Sequence, residues 1–424
     1  DVNALITFLE EYQLERKKKE ERGTVVEMTE EQRRVALEFL KQPDLLSRIA
    51  ADFEVCGMVG NINNCVLGFL VGLSRLLNNA LGLLTVSRSA AGKSFYMDMV
   101  ASFTPEERKI NITRMTGQSL FYKSKNGLKN KLMVIEEDEG MKEAIFSIRI
   151  LLSKQKLHLQ GLKTDQQTGE MRDYENVVEG PASVFIATTD QAAFDHEALN
   201  RFLIVYLDES PEQTKRILAH LDRMDTLQGL EIRENQKHIA ALHQNIQRLL
   251  KPIVVLNPVG TGLNYPPEIL HSRREKTKLQ TLIKVVALLH QYQRPRKTRR
   301  IHGKEIEYIE VTQADVNAVH RYAGDILRHS LDDLSKLCRE LLRDIHDLVD
   351  EKYQAQEDTD GKRWEVVFTR KELMDRCGWS MWHLREHLAD LIERGYLAER
   401  RGKQGQRYAY SLVIDDIPEL PMLT

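Results

Sequence analysis

The sequence predicts an α/β protein. A largely parallel sheet carries helices on its faces, with an N-terminal helical region before it, a helical lid after it and a small C-terminal domain of helices and a hairpin. Three observations carry that expectation. Short apolar runs at Leu83–Val86, Ile110–Thr113, Leu132–Ile135, Val184–Ala187 and Leu203–Leu207 alternate with helical stretches, the pattern of parallel strands joined by crossover helices. The first run ends in a loop of small residues, Ser89-Ala90-Ala91-Gly92, that leads into a helix-compatible stretch. Beyond residue 361, helix-capping signals, an amphipathic helix and two strand-like runs follow one another closely,.

Taken in order, residues 1–27 are charged and helical or linker-like, with the mixed run Glu15–Arg22,. Thr29-Glu30-Glu31-Gln32 forms a capping box ahead of Val35, Leu37, Phe39 and Leu40, and Pro43-Asp44 opens another helix, so residues 1–80 read as an N-terminal helical region,. Residues 81–210 hold the alternating core. Within it, 156–160 and 174–178 flank the polar stretch 163–169, the signature of a β-hairpin,. Residues 211–350 read as helical linker and lid, with a strong amphipathic helix at Leu279–Tyr292 and a basic loop at 294–300. Residues 361–424 form the last domain.

Composition bounds the function. At 424 residues the chain has room for about two to four domains,. Sixty-one Lys and Arg against 63 Asp and Glu exclude a uniformly basic nucleic-acid coat but leave room for a local basic face. No stretch reaches the roughly 18 apolar residues of a membrane span, since Cys65–Val86 is broken by Ser74, Arg75, Asn78 and Asn79,. Cys56, Cys65, Cys338 and Cys377 make no CxxC pair and read as buried apolar residues in a reducing, cytoplasmic compartment,. The chain begins at Asp1 rather than Met, which suggests the end of a longer protein,.

The chemistry-bearing segment is Ser87-Arg88-Ser89-Ala90-Ala91-Gly92-Lys93-Ser94, placed between a strand and a helix. It has the form of a phosphate-binding loop with Ser87 in place of the first glycine. Small residues let backbone N–H groups reach phosphate oxygens, and the helix N-terminus favours the anion. Ser89, Ala90, Ala91, Gly92, Lys93, Ser94 and Phe95 are therefore candidate ATP-binding residues. Lys93 would reach the β- and γ-phosphates and Ser94 would hold Mg2+. Lys131–Ile135 ends in Glu136 and Glu137. Glu136 would join the Mg2+ shell and Glu137 would polarise the attacking water, because phosphoryl transfer needs placement and charge compensation above all. Thr189 is the candidate γ-phosphate sensor, with Thr188 and Asp190 beside it. Arg201, just before the next strand, is placed to stabilise transition-state charge in a neighbour's site.

The C-terminal domain follows the winged-helix pattern. Thr369-Arg370-Lys371-Glu372 caps one helix, Met381–Arg394 forms the second with Leu384, Leu388, Leu391 and Ile392 on its apolar side, and 396–399 and 406–413 supply wing strands,. Residues 361–414 hold eleven Lys and Arg against seven Asp and Glu, a surplus of four. Candidate DNA contacts are Arg385 and Trp382 on the helix and Arg400, Arg401, Lys403 and Arg407 on the wing. Used for protein contacts, the same fold would need none of them. Trp379 and Trp382 fit core packing better than base stacking.

Together these motifs resemble AAA+ ATPases, and within them the MCM-like helicase branch. Ala198–Val205 is similar to that branch's arginine-finger segment, and the insert at 156–178 occupies the place of its presensor hairpin. Ala90–Ser94, Met115–Tyr122, Val178–Pro181 and Ala287–Arg294 resemble the helicase part of mobile-element and phage-type primase-helicase proteins, and the layout is similar to self-loading replication helicases of pathogenicity islands. The resemblance implies a P-loop ATPase core using ATP and Mg2+ and a homohexamer with Arg201 supplied in trans. It also implies DNA held by hairpin loops through Lys163, with Lys154 and Lys156 behind it, and a second sensor at Arg273 or Arg274, with Arg274 preferred. It further implies an upstream primase domain or partner. Ser87 and Glu136 depart from the strict motifs, 111–132 is short for the MCM helix insertion, and the chain holds no zinc cysteines or primase motifs. The expected activity is an ATP-dependent DNA helicase motor for replication of a mobile element or phage-like genome. The alternative is an AAA+ switch, such as an initiator, loader or transposition regulator, acting on duplex DNA without processive unwinding.

Overall fold

The computed structural model describes residues 26–88, 91–136, 141–164, 171–189, 194–262, 272–331, 336–355, 363–393, 395–400 and 409–413. The chain divides between residues 330 and 331 into two compact units.

The first unit starts with three helices, α1 (Glu30–Leu40), α2 (Leu45–Val55) and α3 (Ile62–Leu73). The capping box forms as written: the Thr29 hydroxyl accepts from the Gln32 N–H, and the Gln32 side chain accepts from the Thr29 N–H. Every residue of α3 from Cys65 to Leu73 is buried, as an all-apolar helix requires. Cys56 and Cys65 are buried here, and burial pushes the Cys56 thiol up to about 12. Both act as small apolar residues.

Behind these helices lies a parallel sheet of β1 (Gly82–Val86), β2 (Lys109–Ile112), β3 (Lys131–Ile135), β6 (Ala182–Thr188) and β7 (Phe202–Tyr206), in the order β2-β3-β6-β1-β7. β6 is buried along its whole length and β1 and β3 nearly so, which is why these strands read as unbroken apolar runs. The crossovers are α4 (Lys93–Ser102), α5 (Met141–Lys154) and the short α6 (His196–Leu199). Between α5 and β6 stands a separate antiparallel hairpin, β4 (Lys156–Thr164) and β5 (Met171–Glu179), paired from Lys156↔Glu179 to Thr164↔Met171. Leu157 and Val178 anchor its base in the core.

After β7 come α7 (Pro211–Met224) and α8 (Leu227–Leu249). The end of α8 is tied to the start of β2 by a bidentate pair, Arg248 to Glu107 at 2.8 and 2.9 Å. Nearby, fully buried Arg75 donates to Gln247 at 2.8 Å and to the Gly72 carbonyl. Burial pushes Arg75 down to about 9, and neighbouring Arg108 adds to the shift while Glu107 opposes it.

A second sheet corrects one expectation. The sequence assigns 294–300 to a basic loop. The structure forms β8 (Val254–Leu256), β9 (Lys297–Ile301) and β10 (Lys304–Glu310) in the order β8-β10-β9. His302 and Gly303 both have positive φ, 46° and 79°, the two-residue turn that matches strand twist. The run of cations hides a period-two strand, and two charges of the run are answered across the hairpin, Arg296 by Glu307 at 3.2 Å and Lys297 by Glu310 at 2.6 Å. Arg294 pairs with buried Asp315 at 2.7 Å. Helices α9 (Ser272–Leu289) and α10 (Gln313–Leu331) complete this unit.

The second unit contains α11 (Lys336–Gln354), α12 (Arg370–Cys377), α13 (Met381–Glu393) and a small sheet β11-β13-β12 of Phe368–Thr369, Ala409–Leu412 and Leu397–Arg400. The sequence starts its last domain at residue 361 and leaves 336–350 with the lid. In the structure Cys338, Leu341, Leu342, Ile345 and Val349 of α11 share one buried core with Leu373, Leu384, Leu388 and Leu391. The unit therefore begins a whole helix earlier. Among the described residues no helix is long and apolar enough to cross a membrane.

Candidate functional site

Parallel pairing brings the C-terminal ends of β1, β3 and β6 to one edge of the sheet, where open α/β sheets place their ligands. β1 leads to Ser87 and Arg88. Ser89 and Ala90 lie outside the described residues, and Ala91-Gly92 follow them. Gly92 has φ +86°, a conformation that costs glycine nothing, and α4 begins at Lys93. The Lys93 ammonium donates to the Ser87 carbonyl at 2.8 Å and to the Arg88 carbonyl at 3.0 Å, so the residues that leave β1 hold the cation. Ser94 is exposed, and Phe95 is 49% exposed. The first-turn N–H groups of a helix have no partner within it, and here they stand beside Lys93, a combination suited to phosphate.

Register places the other groups. Val86 pairs with Thr188, and Ile135 pairs with Ile186. Buried Thr188, exposed Thr189 and exposed Glu136 therefore emerge on the edge where Ser87 leaves β1. Two inter-strand spacings, about 10 Å, separate the ends of β1 and β3. Glu137 and Asp190 lie outside the described residues. The donor set suits a magnesium-bound nucleoside triphosphate: Lys93 and amides for phosphate, with the Ser94 hydroxyl and Glu136 carboxylate as the oxygen ligands Mg2+ takes alongside phosphate oxygens.

One residue at this edge is not signalled by any sequence motif. The Glu209 carboxylate accepts from the Arg88 N–H at 2.6 Å and pairs with the Arg88 guanidinium at 3.2 Å. It holds the stem of the phosphate loop from beyond β7. Asn61 and Asn64, at the start of α3, also reach this end of β7, bonding the Asp208 N–H and the Tyr206 carbonyl. A contact across more than a hundred residues leaves no local pattern.

The opposite edge carries a different constellation. Phe202 pairs with Gly82, so Arg201 lies before the N-terminal end of β1, about 13 Å or more along the strand from the phosphate loop. Arg201 stands 3.5 Å from Glu197, and Arg149 of α5 stands 2.8 Å from the same carboxylate and 3.5 Å from Asp195. Burial lowers the Arg201 pKa, with Arg274 the next cause and Glu197 opposing. Its Nε is buried without a partner. Lys278 donates to the Phe202 carbonyl at 2.8 Å, which fixes the start of α9 at this edge. Arg274, expected among the nucleotide ligands, is thus placed with Arg201 and not with Lys93 of the same chain, because α9 docks on the strand's beginning rather than its end. Arg273, the other candidate, is exposed in the same turn of α9.

Of the expected nucleic-acid contacts, Lys154 and Lys156 are exposed at the foot of the hairpin, and Lys163 sits on β4 opposite Arg172. The tip, 165–170, lies outside the described residues. In the second unit Arg385 is exposed on α13 and lines a surface groove with Met381, Trp382 and Glu386. Trp382 is 71% exposed, against the expectation of core packing, because Leu384, Leu388 and Leu391 take the buried side of the helix. Trp379 does pack, edge-on to His387. Arg400 is exposed and donates to Ser411 at 3.3 Å, while Arg401, Lys403 and Arg407 lie outside the described residues.

No curated protein matches this chain. Among solved structures, the A-form apo structure of the NrS-1 C-terminal region is similar over 87% of this chain and 76% of that one, at 10% identity and a TM-score of 0.36. The model of the MTBMA_p00010 P-loop domain matches residues 27–251, more than half of the chain, and so takes in the phosphate loop, Glu136, the hairpin and Arg201. With an α/β P-loop fold and its nucleotide-binding edge in place, the chain belongs to the MTBMA_p00010 P-loop domain family.

Proposed function

We propose that this chain is the ATP-hydrolysing motor of an AAA+ DNA helicase, coupling Mg-ATP hydrolysis to movement along single-stranded DNA in the replication of a mobile element or phage-like genome. The observation that carries this reading is the division of parts between two edges of one sheet. Lys93, Ser94 and Glu136 share one edge, while Arg201, Arg149 and Arg274 share the other. A subunit built this way completes its site only against a second copy, a head-to-tail contact that closes into a ring. We take that ring to be a homohexamer.

In this scheme the α4 amides and Lys93 bind the β- and γ-phosphates. Ser94 and Glu136 would hold Mg2+, which would supply positive charge to the phosphoryl oxygens. Glu137 orients the water, Thr189 senses the γ-phosphate, and Arg201, with Arg274 beside it, enters the neighbour's site. The β4–β5 hairpin follows the DNA backbone through Lys163 and Lys154. The second unit acts as a winged helix, with Arg385, Arg400, Arg401, Lys403 and Arg407 on DNA and Trp382 exposed beside Arg385. Functionally the domains are 1–80, the core 81–210, the linker and lid 211–350, and 361–424 extended back to α11, with a primase domain or partner upstream.

The test is unwinding of a forked duplex with ATP and Mg2+. The wild-type chain is expected to separate the strands, and Lys93→Ala is expected to abolish both ATPase and unwinding while keeping basal DNA binding. Unwinding at full rate by Lys93→Ala refutes the motor. ATPase stimulated by duplex but not by single strands, with no unwinding, makes the protein a switch instead.

A further inference from the structure

The small sheet β8-β10-β9 has two unlike faces. Residues directly opposite one another across a ladder share a face, so the pairings sort the side chains. On one face Arg296 pairs with Glu307, and Arg300 stands opposite Glu305. Further along, Ile309 and Val255 of that face are buried. Cations and carboxylates balance there, and the apolar part is covered.

The other face is largely exposed, with Ile306, Tyr308 and Glu310 half-buried. Val254 pairs with Tyr308, which pairs in turn with Lys297, and Arg299 stands opposite Ile306. Lys304 stands opposite Ile301 at the turn. Val254 is 45% exposed and Ile301 47%, although both are large apolar residues on a regular sheet. The carboxylate on this face is Glu310, held by Lys297 at 2.6 Å. Arg299 and Lys304 are exposed and have no carboxylate partner among the described residues.

An exposed apolar sheet face with balanced charge would suit another protein. This one interleaves unanswered cations with an aromatic ring and aliphatic side chains, the combination that takes a single strand: bases lie on the π-face and phosphates meet the cations. We propose that the outward face of β8-β10-β9 binds single-stranded nucleic acid, with a base stacked on Tyr308 and backbone phosphates on Arg299 and Lys304. The inference rests on the reading that the chain works on DNA, and it adds a contact surface apart from both the β4–β5 hairpin and the second unit.

The test uses the full chain and a fluorescent oligothymidine, with affinity measured by anisotropy over a series of salt concentrations. Tyr308→Ala is expected to weaken binding at least about fivefold, the low end for loss of one stacked base, and Tyr308→Phe to restore it. Arg299→Gln with Lys304→Gln is expected to lower the salt slope by about 1.4, at roughly 0.7 per phosphate contact on a single strand. Wild-type binding with unchanged affinity and slope in these variants overturns the inference and leaves the proposed function standing. Variants that alter subunit assembly in sedimentation but not oligonucleotide affinity overturn it in favour of a contact between copies. A wild-type chain that binds no oligonucleotide removes the proposed function itself, and this surface with it.

Discussion

If Arg201 acts only across a subunit boundary, two inactive variants must repair each other. Lys93→Ala destroys the phosphate loop but leaves Arg201 intact, and Arg201→Ala does the reverse. At about 13 Å, and with an effective dielectric of about 20, Arg201 offers a phosphate charge of its own subunit about 1.3 kcal/mol, most of it screened at physiological salt. That is under a tenfold effect, whereas an arginine supplied at the transition state is worth roughly 10³–10⁵ in turnover. Arg201→Ala should therefore bind nucleotide nearly as well as wild type and fail to turn it over. In an equimolar mixture, a working boundary needs an intact Lys93 on one side and an intact Arg201 on the other. Random head-to-tail assembly provides that at about one boundary in four. Steady-state ATPase of the mixture, per subunit, should recover to about a quarter of wild type while each variant alone stays near zero. No recovery, or Arg201→Ala turning over at wild-type rate, refutes the reasoning.

Three further outcomes follow from the packing. A Cβ built on Gly82 meets the Phe202 ring at 2.6 Å and Leu152 at 2.8 Å, so Gly82→Ala should cost about 1–3 kcal/mol in urea unfolding, and Phe202→Leu in the same chain should recover part of it. Glu107 faces Arg248 directly, with Arg108 and Arg75 close by, and both side chains of the pair are at most 15% exposed. Glu107→Gln strands these cations, and a loss of about 3 kcal/mol or more in the same assay is expected. His243 is fully buried, bonded to Asp52 at 2.7 Å and stacked on Phe103. Burial, opposed by Asp52, lowers its pKa, so the unfolded chain takes up the proton first. The stability it contributes is complete above about pH 6.5 and is lost as pH falls from there toward the folded pKa. The urea midpoint should drop between pH 7.5 and 5.5, and by less in His243→Gln.

The core strands, the phosphate loop and the hairpin were legible because their signals are local. Buried parallel strands are apolar runs, and Gly92-Lys93-Ser94 is contiguous. The small sheet was not legible, since Lys297–Ile301 carries its strand period under four consecutive side chains able to bond polar partners, three of them cations. Glu209, and the position of Arg274 beside Arg201, escaped for another reason. Glu209 meets Arg88 only because β7 lies beside β1, and Arg274 reaches Arg201 only because Lys278 docks on Phe202. Sequence spacing carries neither fact. The boundary of the second unit was missed because the amphipathic face of α11 looks the same whichever core it covers.

β6 has a mechanical consequence. It begins at Ala182, separated from the end of β5 by Gly180 and Pro181 alone, and runs about 20 Å to Thr188, with ladders to β3 and β1 along its sides. Shifting it by one residue would exchange its two faces, both of them packed, so that neither set of side chains would meet the neighbours it fits,. β6 is thus a clamped rod, and the base of the hairpin is fixed in distance from the phosphate loop. Under the proposed function, any stroke the hairpin delivered to a bound strand would have to come from whole subunits turning against one another rather than from the hairpin's own flexibility.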